Sequence, residues 1–237
     1  KLAEIEGDQL DLFPVAHPGL GQKATWLQIG RQLKPDWIFM WGWGVMNATA
    51  IKEAAAVGVP MDRFIGVWWS GSENDVLPAG ADAKGYKSGA FHAPGTAAKI
   101  FADIKSTLGT VPDTFGQVLY SRGLINAAIT VEAIRTAQAE YGNTTMTGEQ
   151  MIWGFQHLNL TAERIEQMGM TGLLEPLSIS CNDHEGGGKV IIQQWDGAQW
   201  TQISDWITPN RDLIRPMYEE SAMKYAAEKG ITPTACN

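Results

Sequence analysis

"DWIFMWGWGVMN", Asp36 to Asn47, decides how the rest of this chain of 237 residues is read. Its first part, through Trp41, is a continuous apolar run without polar alternation, the pattern of a strand buried on both faces of a parallel sheet. Gly42 and Gly44 then interrupt it, and "NATAIKEAAAVGV" follows as an alanine-rich helix with Asn47 as its candidate N-cap and Gly58 near its end. Strand, glycine turn and helix in that order make a βα unit, so the surrounding sequence should repeat it.

It does repeat on both sides. Upstream, "DLFPVA" reads as a strand and "KATWLQIGRQLK" as a helix with apolar residues at Trp26, Leu27, Ile29 and Leu33, stopped by Pro35. Downstream, "RFIGVWW" reads as a third strand, "SENDVLPAGADA" as a short irregular helix and "GYKSGAFHA" as a fourth strand ending at His92. Residues 1–93 are therefore expected to form an α/β lobe with a parallel sheet covered by helices.

"HAPGT", residues 92–96, ends the pattern, and the next stretch is helical with no strand: 97–108, about 115–141, 148–158 and 162–168. Thr147 and Gln150 have capping-box spacing before the third of these helices. A hairpin follows, "KVIIQQW" and "AQWTQIS" joined by Asp196-Gly197, and an amphipathic helix from about 212 to 229 stops at Gly230. Residues 94–188 thus offer helices without a sheet. Either they form a bundle of their own, or a sheet encoded before Lys1 belongs beneath them.

Composition narrows the function. A hydrophobic content of 44% supports a substantial core, and a net charge of -8 with no local Lys/Arg cluster argues against a nucleic-acid or anionic-membrane partner. No apolar run approaches the roughly 20 residues a membrane helix needs. The start lacks a cationic segment followed by an apolar one, so an export signal has been removed or was never there. The two cysteines, Cys181 and Cys236, show no metal or redox spacing; they form one disulfide holding the tail, or two separate thiols.

Catalytic and cofactor motifs are incomplete. Gly42-x-Gly44-x-x-Asn47 has Asn where a dinucleotide loop needs Gly or Ala, puts Trp43 where pyrophosphate must approach, and has no acidic residue ending the next strand. "NDHEGGGK", residues 182–189, lacks the first P-loop glycine and is followed by Val190; its Asp183, His184 and Glu185 are adjacent in sequence and cannot easily converge on one metal. "WWSGSEN" is not a nucleophile elbow, and the histidines at 17, 92, 157 and 184 are far apart. No cofactor, no metal and no catalytic residue is expected.

The aromatics carry the binding expectation. Trp41 and Trp43 end the second strand, Trp68 and Trp69 the third, and ligands of open parallel sheets lie beyond the carboxyl ends of strands. Strand alternation would turn one of Trp68 and Trp69 to the crevice and the other under a helix. The competing reading makes all four filler between helices and sheet.

The order "KPDWIFMWGWGVMNATAIKEAAAVGVP", "FIGVWWSGSEND", "GYKSGAFHAPG", "FGQVLYSRGLINAAITVEAI" and "CNDHEGGGKVIIQQWDGAQW" resembles the periplasmic solute-binding proteins of ABC transporters in the branched-chain amino acid (Leu/Ile/Val-binding) family. The resemblance implies a type I periplasmic-binding-protein fold: two Rossmann-like lobes joined by three crossovers, closing on a ligand that is handed to an ABC permease. It covers the later part of such proteins. On it, 1–93 is the second lobe, with 189–208 returning to it or to the hinge; 94–188 is the helical remainder of an incomplete first lobe; and 209–237 is the C-terminal helix and tail. A preceding segment of the same protein is expected to carry the sheet beneath those helices. Localisation would be periplasmic or otherwise extracytoplasmic.

Residue by residue, the resemblance sets Trp43 against the ligand and makes Tyr120 a cleft-facing tyrosine; Gly44, Trp41 and Trp69 join them as ligand-binding candidates from their place at the strand ends. Trp68 departs from the family, standing where amino-acid-binding members carry a carboxylate for the ligand's ammonium group. An indole offers only cation-π attraction, which shifts the expected ligand from an α-amino acid to an aromatic or apolar carboxylate. A ligand-sensing regulatory domain of the same fold, binding an amide or amino acid, is the alternative.

Overall fold

In the computed structural model, which describes residues 1–233, 235 and 236, the elements follow in chain order. Helices α1 (Leu2–Glu6) and α2 (Lys23–Leu27) precede strand β1 (Ile38–Met40) and helix α3 (Val45–Ala56). Strand β2 (Phe64–Gly66), helix α4 (Glu73–Val76) and strand β3 (Lys87–Ala90) come next. Helices α5 (Lys99–Leu108), α6 (Val118–Tyr141) and α7 (Gly148–Gln156) lead to strand β4 (Asn159–Leu160), helix α8 (Ala162–Gln167) and strand β5 (Leu177–Ser178). Strands β6 (Ile191–Trp195) and β7 (Trp200–Gln202) and helix α9 (Arg211–Lys229) complete the chain. No helix among the described residues is long and apolar enough to cross a membrane.

The chain divides into two compact units, one of residues 1–89 and 193–201, the other of 90–192 and 202–237. The sheet runs β1-β2-β3-β6-β7, with β1 parallel to β2 (Met40 opposite Gly66) and β2 parallel to β3. In the first unit, rings meet one after another through the core: Trp26 and Phe64 at 5.2 Å, Phe64 and Tyr86 at 5.1 Å, Tyr86 and Trp200 at 6.2 Å, Trp200 and Trp195 at 5.6 Å. Such tilted and edge-on contacts place positive ring edges against negative faces. The Trp26 indole N–H donates to Gln22, whose amide donates to the carbonyls of Gly19 and Met46, so no polar atom of that side-chain pair is stranded near the start of α3.

In the second unit, Phe101, Leu160, Ile165, Met170, Leu173 and Leu174 form an apolar core with Ala98. α6 and α7 approach closely because Gly154 has no side chain; a Cβ there would lie 2.3 Å from the Ala133 carbonyl oxygen. Thr147 and Gln150 cap α7 reciprocally, as their spacing predicts.

Several expectations change. "DLFPVA" forms no strand: Leu10 and Leu12 are exposed, Pro14 has no N–H to donate, and β1 has no second neighbour among the described residues. β2 ends at Gly66, and Trp68–Ser70 turns as a 3₁₀ segment rather than continuing the strand. The 94–188 stretch is not strand-free, since β4 and β5 pair antiparallel within it. The hairpin turns on Gly197-Ala198, one residue later than expected, because the Asp196 N–H donates to Gln199 and the Asp196 carboxylate takes the N–H groups of Ala198 and Gln199.

Candidate functional site

The site is built where β1 and β2 end side by side. After Met40 the chain carries Trp41, Gly42, Trp43 and Gly44 before α3 begins; after Gly66 it carries Val67 and then the 3₁₀ turn with Trp68 and Trp69. The Val67 N–H still donates to the Met40 carbonyl, so the two segments leave the sheet in register.

Trp69 is the hub of the cluster. Its ring centroid lies 5.7 Å from that of Trp43, 6.3 Å from Trp41 and 5.3 Å from Trp68. Trp41 is 74% exposed and Trp43 54%, whereas Trp26, Trp195 and Trp200 are 5% or less. Trp41, Trp43 and Trp69 are thus exposed and Trp68 half-buried, while Trp26, Trp195 and Trp200 are core. Alternation does not separate Trp68 from Trp69, because they sit in a 3₁₀ turn and their rings touch.

Beneath the exposed rings lies a buried polar framework that sequence reading missed. Asn47 is not the N-cap of α3; Gly44 holds that place with φ 56° and ψ -140°, a conformation open to glycine. Asn47 lies three residues further on, fully buried, and its amide donates to the Trp69 carbonyl at 3.0 Å and to Asp75 Oδ1 at 2.8 Å. The other oxygen of Asp75 accepts from the N–H and hydroxyl of Ser72, closing the capping box of α4. Ser70 donates its hydroxyl to the Gly42 carbonyl, and Tyr86 donates to the Ser70 carbonyl. Burial, with the Asp75 charge nearby, pushes the Tyr86 phenol well above its ordinary value, so it stays a neutral donor. Gln193 donates to the Gly71 carbonyl and the Ser88 hydroxyl.

Two glycines permit this framework. A Cβ on Gly42 would lie 2.4 Å from Asn47 Oδ1, and one on Gly71 would lie 1.8 Å from Ser88 Oγ. The spacing that resembles a phosphate loop thus answers a packing need. A signal existed in the sequence, since Asn47, Ser70, Ser72 and Asp75 all cluster just past strand ends, but nothing local revealed that they pair with one another.

Tyr120 belongs to the other unit, where it is half-buried against the apolar core and meets Phe115 edge-on at 5.1 Å. In that unit Cys181 and Cys236 form a disulfide with Cα atoms 5.5 Å apart. Asp183 pairs with Arg211 and, at 3.6 Å, with Arg215 on α9. Partial desolvation opposes ionisation of Asp183, but the Glu185 N–H and the two guanidiniums outweigh it and hold the carboxyl below its ordinary range. The Asp183-His184-Glu185 loop is therefore docked on a helix through ion pairs.

Comparison with known proteins adds the following. A family model described as periplasmic binding protein matches residues 2–199. A crystal structure titled as an ABC transporter permease from the Pseudomonas fluorescens group is 46% identical, with a TM-score of 0.92 over 100% of this chain and 58% of its own. A branched-chain amino acid ABC transporter structure from Thermus thermophilus with bound valine is 20% identical, with a TM-score of 0.69 over 89% of this chain and 56% of its own. A solute-binding protein of an R. palustris ABC transporter in complex with benzoate is 14% identical, with a TM-score of 0.57 over 83% and 50% of the two chains. The last two likenesses bear on the fold alone. The chain spans between 50% and 58% of the length of these proteins. No curated protein matches.

Proposed function

The chain belongs to the periplasmic binding protein family, whose members are extracytoplasmic binding proteins rather than enzymes, and from that membership we propose that it serves as the solute-binding component of an ABC transporter specific for an aromatic or apolar carboxylate. The observation that carries the specificity is the tryptophan cluster at the ends of β1 and β2: indoles gathered around Trp69 and largely open to solvent, over a carboxylate already occupied by its own neighbours.

The fold itself does not select the ligand, since neighbours of the same fold hold valine in one case and benzoate in another. Side chains must select it. A flat ring stacked on an indole gains about 0.5–1.5 kcal/mol per aromatic pair beyond the area it buries. A ligand ammonium group would need an anion, and leaving it buried without one costs several kcal/mol. Asp75 is consumed by Asn47 and Ser72, and Trp68 stands where the resemblance implies a carboxylate. Cation-π attraction from an indole returns only about 0.5–2 kcal/mol. The balance favours an acid without an amine.

Isothermal titration of the full-length protein against benzoate, a phenylpropenoate and leucine tests the reading. Binding of one of the aromatic acids at least tenfold tighter than leucine is expected. Tighter binding of leucine overturns it.

A further inference from the structure

Trp41 and Trp43 come from one segment and Trp69 from another, and both segments are irregular and solvent-facing, so the relative pose of the rings must be fixed from below. Side-chain hydrogen bonds join these segments: Asn47 Nδ2 donates to the Trp69 carbonyl, and Ser70 Oγ to the Gly42 carbonyl. Both donors are fully buried. Asn47 divides its two amide protons between the Trp69 carbonyl and Asp75 Oδ1, so the same group that holds the hub tryptophan also holds the acid inward, against Ser72. Both of its bonds go to acceptors, which fixes the orientation of the amide. Its own oxygen lies under Gly42, where a side chain has no room.

We propose that Asn47 is a positioning residue for ligand recognition: its buried amide sets Trp69 against Trp41 and Trp43 and withholds Asp75 from the ligand. Ser70 makes the second tie between the same loops. The proposal rests on the reading of the tryptophan cluster as an aromatic-acid site, but its spectroscopic part does not depend on any ligand. Indoles with centroids 5.3–6.3 Å apart couple electronically, so the cluster geometry is visible in the near-ultraviolet circular dichroism of the protein alone.

The test compares Asn47→Ala and Ser70→Ala with the unaltered full-length protein by near- and far-ultraviolet circular dichroism, thermal melting, and titration with benzoate and leucine. Expected for Asn47→Ala are an unchanged far-ultraviolet spectrum, loss of at least half of the tryptophan near-ultraviolet signal, at least tenfold weaker benzoate binding, and a narrower preference for benzoate over leucine as Asp75 is released. Ser70→Ala should show the same spectral change, smaller, and keeps the proposal testable if Asn47→Ala does not fold. A lowered melting temperature with spectrum and affinity intact would make both residues structural only and overturn the proposal. If the unaltered protein binds neither aromatic acid while Asn47→Ala still loses the tryptophan signal, the ligand reading fails and the positioning role stands.

Discussion

The two units solve burial in opposite ways. In the second, apolar side chains around Phe101 form the core, and the one acidic side chain of that unit among the buried residues, Glu132, is joined to Arg164 by two hydrogen bonds of 2.7 and 2.8 Å. In the first, at the strand ends, the order inverts: Asn47, Ser70, Ser72, Asp75 and Ser88 are inside and indoles outside. Each buried donor on that list finds an acceptor, which avoids the cost of about 1–3 kcal/mol for an unpaired buried polar group, and Asn47 Oδ1 is the acceptor among those side chains that is left without a partner. A surface that exposes its largest apolar rings over a rigid polar base is suited to binding something flat, whereas a dry core is suited to persistence.

The comparison is broken most sharply in the second unit. Phe101→Ala should cost about 3–5 kcal/mol by leaving a cavity among Leu160, Ile165 and Met170, measured by urea denaturation. A loss below about 1 kcal/mol would mean the core is loosely packed. Gly71→Ala should cost the first unit about 1–3 kcal/mol, because its Cβ meets Ser88 Oγ at 1.8 Å and Ser88 Cβ at 2.8 Å, and backbone must shift. An unperturbed melt would show that the framework yields without strain.

Smaller and dependent on pH is the Glu132–Arg164 pair. Hydrogen bonds from Arg164, opposed by burial and aided by its charge, hold the Glu132 carboxyl below its ordinary value. A carboxyl depressed in the folded state stabilises above its unfolded value near about pH 4.3, and the contribution is lost as pH falls through the folded value. The stability gap between the native protein and Glu132→Gln, about 1 kcal/mol at pH 7, should therefore close as the pH is lowered below the folded value. A gap that persists there assigns the effect to packing. The least effect on stability belongs to Trp41→Ala: within about 0.5 kcal/mol, since the ring is 74% exposed, with benzoate affinity falling at least severalfold. A large loss of stability would return Trp41 to a structural role.

Legibility in the sequence followed the range of the interactions. The α7 cap and the α9 stop at Gly230 were readable because each depends on residues within a few positions, and the strands at 38–40, 64–66 and 87–90 because their runs of residues and flanking turns are local, although their pairing is not. "DLFPVA" was not, because a strand exists only when another completes its ladder. Asn47 was misplaced as a cap for a similar reason: its partners, Trp69 and Asp75, lie 22 and 28 positions away.

By itself, the sequence determined the alternation of strand and helix, the absence of a complete cofactor motif, and the presence of tryptophans at two strand ends, because periodicity and motif spacing are local properties. Tertiary structure alone decided that Trp69 is the hub, that Trp26, Trp195 and Trp200 are core, and that Gly42 and Gly71 make room for Asn47 and Ser88. Those are questions of which distant groups meet, and a buried hydrogen bond becomes defined only when the fold brings its donor and acceptor within about 3 Å.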